Sequence, residues 1–224
     1  MSSFIEINHL QPESHLIEQA ARVLKKGGVI GYPTETIYGI GCNAFDVKAV
    51  ERIYQLKNRD RSKAMIIIAG DMVQVHELVQ VIPEAAEKLI ENFWPGPLTL
   101  ILQASSRFED FPFSKSRTIA VRIPDCSICL ELLKETGFPI VSTSANRSNE
   151  PAATTAEEVK EAFGDQLDLI INGGATPDNL PSTLVDFTRT PARIVREGAI
   201  SSLEIYTVLD FDEPHSVSNP PVKN

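Results

Sequence analysis

With 224 residues and a net charge of −9, from 21 basic against 30 acidic side chains, the chain is one large domain or two small ones at roughly 100–200 residues each. Its ordinary shares of apolar and charged residues argue against a disordered or fibrous protein, and the acidic balance argues against one that coats nucleic acid without specificity. Residues 11–26 read as an amphipathic helix, because Leu16, Ile17, Ala20, Ala21 and Leu24 recur at helical spacing and Gly27-Gly28 ends the run. A short buried strand over 29–32 stops at Pro33. A helix over 47–56 follows on Val50, Ile53, Tyr54 and Leu56, and the three isoleucines of 64–69 mark a fully buried strand.

Two helices are expected over 72–81 and 83–93, the second with Pro83 in its first turn. Trp94-Pro95-Gly96-Pro97 makes a tight connection into a strand over 98–102. The polar stretch 105–115 reads as a surface excursion or lid. Beyond it come a strand at 118–123, a helix at 126–136, a strand at 139–142, and a helix at 155–163 opened by a capping box of Thr154 or Thr155 with Glu157 or Glu158. Strands near 169–171, 184–187 and 192–195 complete the core. The interleaving predicts one α/β domain over residues 10–205, built on a largely mixed sheet with flanking helices. A loose tail rich in Pro, Ser, Asn and acid follows over 206–224.

Three cysteines, Cys42, Cys126 and Cys129, make neither a disulfide scaffold nor a zinc site, which needs four ligands. No protein-bound metal is expected, and the Cys126–Cys129 pair reads as two small residues at a helix start. The N-terminus lacks a signal-peptide pattern, and no stretch approaches the ~18 apolar residues of a membrane span. A cytoplasmic protein without membrane contact is expected.

The densest charge feature is Lys57-Asn58-Arg59-Asp60-Arg61-Ser62-Lys63, with four bases and one acid. Cations gain some stabilisation at a helix C-terminus, and a solvated face explains one or two of them. Four in an acidic chain also suit an anion site, with Arg gripping phosphate in bidentate fashion and Lys acting as a point charge. Tyr32 to Gly41 clusters hydroxyls and glycines just past a strand end, where ligands sit in open α/β sheets, though Thr34 and Thr36 are equally good turn formers. Neither a Walker-type GxxxxGK[ST] run nor a convincing GxGxxG occurs. Val141 to Asn149 offers hydroxyls and backbone N–H groups that hold phosphate or carboxylate, or form a Ser/Asn-rich turn. Arg122 and Arg196 close apolar segments and call for an anion if buried, from a ligand or from Asp or Glu. No His or Cys is paired with a basic partner near these serines, so an acyl-enzyme gains no support.

Six motifs occur in order: Pro33-Thr34-Glu35-Thr36-Ile37-Tyr38-Gly39, Lys57-x-Arg59, Trp94-Pro95-Gly96-Pro97-Leu98-Thr99, Ala120-Val121-Arg122-Ile123-Pro124, Ser142-Thr143-Ser144-Ala145-Asn146 and Ser182-Thr183-Leu184-Val185-Asp186. Together they resemble the YrdC-like family of threonylcarbamoyl-AMP synthases, in its short, bacterial-type form. The resemblance implies a twisted mixed sheet around a concave basic cleft. It also implies synthesis of threonylcarbamoyl adenylate from L-threonine, bicarbonate and ATP, the first step towards threonylcarbamoyladenosine in tRNA (t6A37).

By this resemblance Thr36, Arg122, Ser144 and Ser182 line the threonine end. Arg59, Lys63, Thr118, Ser142, Asn146 and Arg196 face ATP, with Mg2+ accompanying the nucleotide. Lys57, Arg59 and Lys63 carry the catalytic electrostatics, with no covalent intermediate. The implied partners are a downstream threonylcarbamoyl-transferase complex and a tRNA or double-stranded RNA contact.

The family pattern is broken at Asp60, Ala64-Met65, Ile68, Ser148-Asn149 and Ala152. Two other readings stay open: an RNA-binding or maturation module of the same fold, and a sister-branch hydrolase of nucleotides or carbamoyl adenylates. Because exposed basic side chains seldom support a core, Lys57→Ala or Arg59→Ala is expected to cut the rate by orders of magnitude at little cost in stability.

Overall fold

Residues two apart along a strand share a face, and in this chain that alternation separates core from cavity. The computed structural model describes residues 3–60, 65–108, 117–147, 150–177 and 180–209. Among these the strands are β1 (Ser3–Glu6), β2 (Ile30–Tyr32), β3 (Gly39–Asn43), β4 (Ile66–Ile68), β5 (Leu98–Gln103), β6 (Thr118–Arg122), β7 (Ile140–Ser144), β8 (Leu169–Asn172), β9 (Thr183–Asp186) and β10 (Arg193–Arg196). They form one mixed sheet in the order β1-β8-β2-β3-β7-β4-β6-β5-β9-β10. The α-helices are α1 (Ser14–Lys25), α2 (Val47–Lys57), α3 (Met72–Leu78), α4 (Glu84–Phe93), α5 (Ser127–Thr136), α6 (Ala156–Phe163) and α7 (Ser202–Leu209). The expected α/β architecture on a mixed sheet with flanking helices is what forms.

Two apolar clusters lie on opposite faces of the sheet. Ile67, Val141 and Ile170 face the cluster built with α2, α3, α4, α6 and α7. Their strand neighbours Ile68, Ile140, Leu169 and Ile171 face a smaller cluster with α1 and α5. Helix α1 buries Ile17, Ala20, Ala21 and Leu24, the stripe that its spacing predicts. Asp46 caps α2 by accepting from the N–H groups of Lys48 and Ala49 at 3.0 and 3.1 Å. Thr155 and Glu158 close the capping box expected at α6. Pro83 sits one position earlier than predicted, at the N-cap of α4.

Three elements have no expectation to match: β1, β3 and α7. Strand β3 reads Gly-Ile-Gly-Cys-Asn and lacks β-branched density, because its glycines make room for the Tyr32 ring. A Cβ on Gly41 would lie 2.9 Å from Tyr32 Cε1 and 2.5 Å from the Val141 carbonyl oxygen. Helix α7 carries the folded chain to Leu209, past the boundary expected at 205, and Ile205 and Leu209 are buried. The excursion expected over 105–115 begins as a 3-10 turn at Ser106–Phe108 that packs inward: Phe108 is fully buried and stacks on Phe45 with ring centroids 5.5 Å apart. Its continuation from 109 to 115 lies outside the described residues, as do Lys63, Ala64, Ser148, Asn149 and the tail beyond 209.

Candidate functional site

The register across the central strands lays out the floor of a cavity. Gly41 pairs with Ser142, Ser142 with Ile66, Ile66 with Ala120, and Ala120 with Ile101, so this row presents one face of β3, β7, β4, β6 and β5. The next row holds Ile68 and Arg122 in register. Helices α1 and α5 cover this face near β2 and β8. Further along, the floor lines a cavity of about 580 Å³. Thr36, Arg59, Thr118, Arg122, Ser142, Ser144, Ser182 and Arg196 all line it, so eight residues expected at the site from far-apart segments come together.

One corner is set by the connection after α4. The Trp94–Pro95 peptide is cis, and Gly96 has no room for a side chain, since a Cβ would lie 2.4 Å from the Phe93 carbonyl oxygen. The Gly96 carbonyl accepts from Arg122 Nε at 2.9 Å. Arg122 Nη1 reaches Thr36 Oγ1 at 3.3 Å, and Nη2 donates to Glu35 Oε1. Glu35 Oε1 also accepts from the Asp125 amide at 2.9 Å, while Oε2 is buried without a hydrogen-bond partner. The anion that a buried Arg122 calls for is thus supplied by Glu35. Thr34 proves to be the turn former, its hydroxyl accepting from the Thr36 and Ile37 amides at 3.2 Å, and both Thr34 and Thr36 line the cavity.

A second corner lies at the start of β9 and the end of β10. Arg196 Nη2 donates to the Ser182 carbonyl at 2.8 Å, and Ser182 Oγ is 2.7 Å from Thr99 Oγ1. Arg196 as a whole is exposed at the cavity mouth. The protein atoms around its guanidinium, then the charges of Arg122 and Arg59, lower its pKa. Burial likewise lowers that of Arg59. With Arg122 compensated by Glu35, Arg59 and Arg196 are the guanidinium groups whose charge at this hydroxyl-lined hollow suits an anion.

Gly198 holds this corner tight: a Cβ there would lie 2.1 Å from the Pro181 carbonyl oxygen and 2.7 Å from Ser182 C. Gly198→Ala is therefore expected to cost about 1–3 kcal/mol of stability and to weaken anion binding with it. Urea unfolding beside nucleotide titration checks both, and an unchanged midpoint contradicts the packing argument.

Lys57 occupies a different place from the one expected. It ends α2 and is buried, with 3% of its surface exposed. Its ammonium donates to the Ser144 carbonyl, to the Asn146 carbonyl at 2.7 Å and to Asn146 Oδ1 at 3.0 Å. Asn146 Oδ1 also accepts from Ser144 Oγ at 2.6 Å. Lys57 and Asn146 form a post behind the cavity wall and do not line the cavity itself. Burial, then Arg59, pushes the Lys57 pKa down to about 7. The expectation that Lys57 is an exposed base with little part in stability is corrected. The signal was present, since Lys57 continues the Val50, Ile53, Tyr54 stripe at helical spacing.

Asn58 then adopts the left-handed region at φ 47°, and the Arg59 amide returns to the Tyr54 carbonyl at 3.0 Å, a Schellman close that turns Arg59 towards the cavity. Glu35, Thr99 and Tyr32 lie within segments that the sequence singles out, but the sequence assigns none of them an individual role at the site. Tyr32 hydroxyl donates to Ser142 Oγ at 2.7 Å and orients it from below. Of the positions that break the motif pattern, Met65, Ile68 and Ala152 line the cavity with apolar surface. Among the described residues, no group of three or more His, Cys, Asp or Glu could hold a metal ion, and no helix is long and apolar enough to cross a membrane.

The fold and the cavity define an α/β protein with an arginine-lined anion site on the open face of a mixed sheet. A family model described as telomere recombination (Sua5, YciO, YrdC) matches residues 22–198. The chain belongs to this Sua5/YciO/YrdC family. It is 39% identical over 197 residues to the threonylcarbamoyl-AMP synthase of Pyrococcus abyssi, covering 88% of this chain and 58% of that protein. The structure of P. abyssi Sua5 complexed with L-threonine superposes with a TM-score of 0.87 at 37% identity, over 92% of this chain and 61% of that one. E. coli YciO superposes with a TM-score of 0.82 at 31% identity, over 92% of this chain and 100% of that one. The chain thus spans about three fifths of the length of the first two proteins.

Proposed function

We propose that the chain synthesises L-threonylcarbamoyl adenylate from L-threonine, bicarbonate and ATP, releasing pyrophosphate. The observation that carries this reading is the convergence of Arg59, Arg122 and Arg196 on one hydroxyl-lined cavity of about 580 Å³, a size suited to a nucleotide with a small second substrate. Kinship with the P. abyssi synthase supports the choice of reaction, and the L-threonine complex of its Sua5 supports the choice of acceptor.

Arg59 and Arg196, with the Thr118 and Ser142 hydroxyls, hold the triphosphate. Lys63 is assigned to the same end. Thr36, Arg122, Ser144 and Ser182 hold threonine, Arg122 taking its carboxylate with whatever positive charge Glu35 leaves uncompensated. The amine captures bicarbonate as a carbamate, whose oxygen attacks the α-phosphorus while pyrophosphate departs. The protein supplies positioning, exclusion of water from the carbamate and electrostatic stabilisation of the developing charge. Lys57 acts through the loop it anchors, holding Ser144 and Asn146 in place. Magnesium belongs to this scheme as part of the nucleotide substrate, with no protein ligand assigned to it. The product serves a cytoplasmic transferase that acts on tRNA.

Incubating the full chain with all three substrates is expected to yield pyrophosphate and the mixed anhydride, detected by mass spectrometry, and omitting threonine or bicarbonate should abolish both. Bound ATP with no anhydride in the complete mixture would sink the reading. Release of AMP without anhydride would point instead to the hydrolase.

A further inference from the structure

The start of α5 holds two thiols that neither the cavity chemistry nor a metal site uses. Cys126 is the N-cap residue and Cys129 lies in the first turn, so their side chains converge. Both thiols donate to the same acceptor, the Pro33 carbonyl oxygen, at 3.5 Å from Cys126 and 3.3 Å from Cys129. Cys126 is half-buried and Cys129 fully buried, and both are free.

Their chemistry differs as their surroundings do. The Cys126 pKa is lowered, first by the neighbouring Cys129 side chain and then by the backbone amides of Cys129 and Ile128 at the helix start, against burial and the Glu35 charge, which raise it. Burial pushes the Cys129 thiol well up. A half-buried thiol whose pKa is lowered, beside a fully buried one whose pKa is raised, three residues apart at a helix N-terminus, is a pairing suited to thiol–disulfide exchange. Cys42, buried on β3, lacks a thiol neighbour of this kind, and burial raises its pKa. Pro33 immediately precedes the Thr34–Thr36 turn that walls the cavity, and Glu35 acts electrostatically on both thiols.

We propose that Cys126 and Cys129 form a reversible redox site that exchanges with small-molecule disulfides of the glutathione type and loosens the cavity wall when oxidised. The Cys126 thiolate attacks one sulfur of the small disulfide and expels a thiolate. Cys129 gives up its proton and attacks the Cys126 sulfur, expelling the second thiolate. The two protein thiols lose two electrons and two protons, and the small disulfide gains both and leaves as two thiols. Bridging removes both S–H donors from the Pro33 carbonyl, a buried acceptor at the root of the Thr34–Thr36 turn. The loss of such a partner corresponds to about tenfold in a local opening equilibrium. This effect does not depend on which ligand the cavity takes.

The test uses the full chain equilibrated in glutathione buffers of increasing oxidised fraction, then unfolded and alkylated. The oxidised protein should carry alkyl label on Cys42 alone and yield a Cys126–Cys129-bridged peptide, while the reduced protein is labelled at all three cysteines. Cys129→Ser should stop at a glutathione adduct on Cys126. Hydrogen exchange in the peptide spanning 34–38 should accelerate about tenfold on bridging. Labelling of all three cysteines throughout the series overturns the proposal, and unchanged exchange in the bridged protein overturns the link to the cavity wall.

Discussion

Replacing Arg122 with alanine is expected to lower the stability of the protein by about 3–5 kcal/mol, the range for stranding one partner of a buried ion pair. Only 6% of the Arg122 side chain and 17% of that of Glu35 are exposed, so little water reaches the carboxylate left behind. Its Oε2 is already buried without a partner, and the Gly96 carbonyl loses its donor at the same time. The double variant Glu35→Gln, Arg122→Met should recover much of the loss, because it removes the stranded charge while keeping side-chain bulk. Urea unfolding of the two variants separates a charge effect from a packing effect. Equal destabilisation in both would assign the cost to packing. Threonine affinity should fall in both variants, because Thr36 loses the guanidinium that holds its hydroxyl.

Lys57→Met is expected to act on stability and on rate together. The methionine keeps the stem but leaves the Ser144 and Asn146 carbonyls without their ammonium donor, at about 1–3 kcal/mol for an unsatisfied buried acceptor. Freed from that post, the segment carrying Ser144 and Asn146 shifts against the cavity. The synthesis rate should fall by orders of magnitude, as near-attack geometry demands.

The pH dependence carries its own sign. In the folded protein Lys57 gives up its proton at about 7, while the unfolded chain holds it up to the ordinary lysine value of 10.5. Between these values unfolding takes up a proton, so the contribution of Lys57 to stability rises with pH across that window. Lys57→Met should flatten this rise. An identical slope in wild type and variant would show that the side chain keeps its proton when buried.

Much of the secondary structure was legible from periodicity. The α1 stripe, the isoleucine strand β4 and the Thr155–Glu158 box each depend on neighbours within a few residues, and each appears where expected. Strand β3 was not legible, because its glycines answer to the ring of Tyr32 on an adjacent strand rather than to any local preference. The site loops were identifiable as clusters of hydroxyls and bases. Their roles inside those loops were not, since Thr34 and Thr36 both line the cavity and differ only in the hydrogen bonds that the folded turn gives them.

The basic run at the end of α2 shows where the boundary lies. Four bases in an acidic chain suited an anion site or a solvated face from composition alone, and six ordered motifs pointed to the family. Charge, spacing and turn residues are local properties, so a single chain displays them without folding. That Lys57 is a buried post, that Arg122 is neutralised by Glu35, and that Arg59 and Arg196 share one cavity depends on contacts across the sheet. Burial and ion pairing join residues as far apart as Glu35 and Arg122, and the closing of the ten-stranded sheet determines which of them meet.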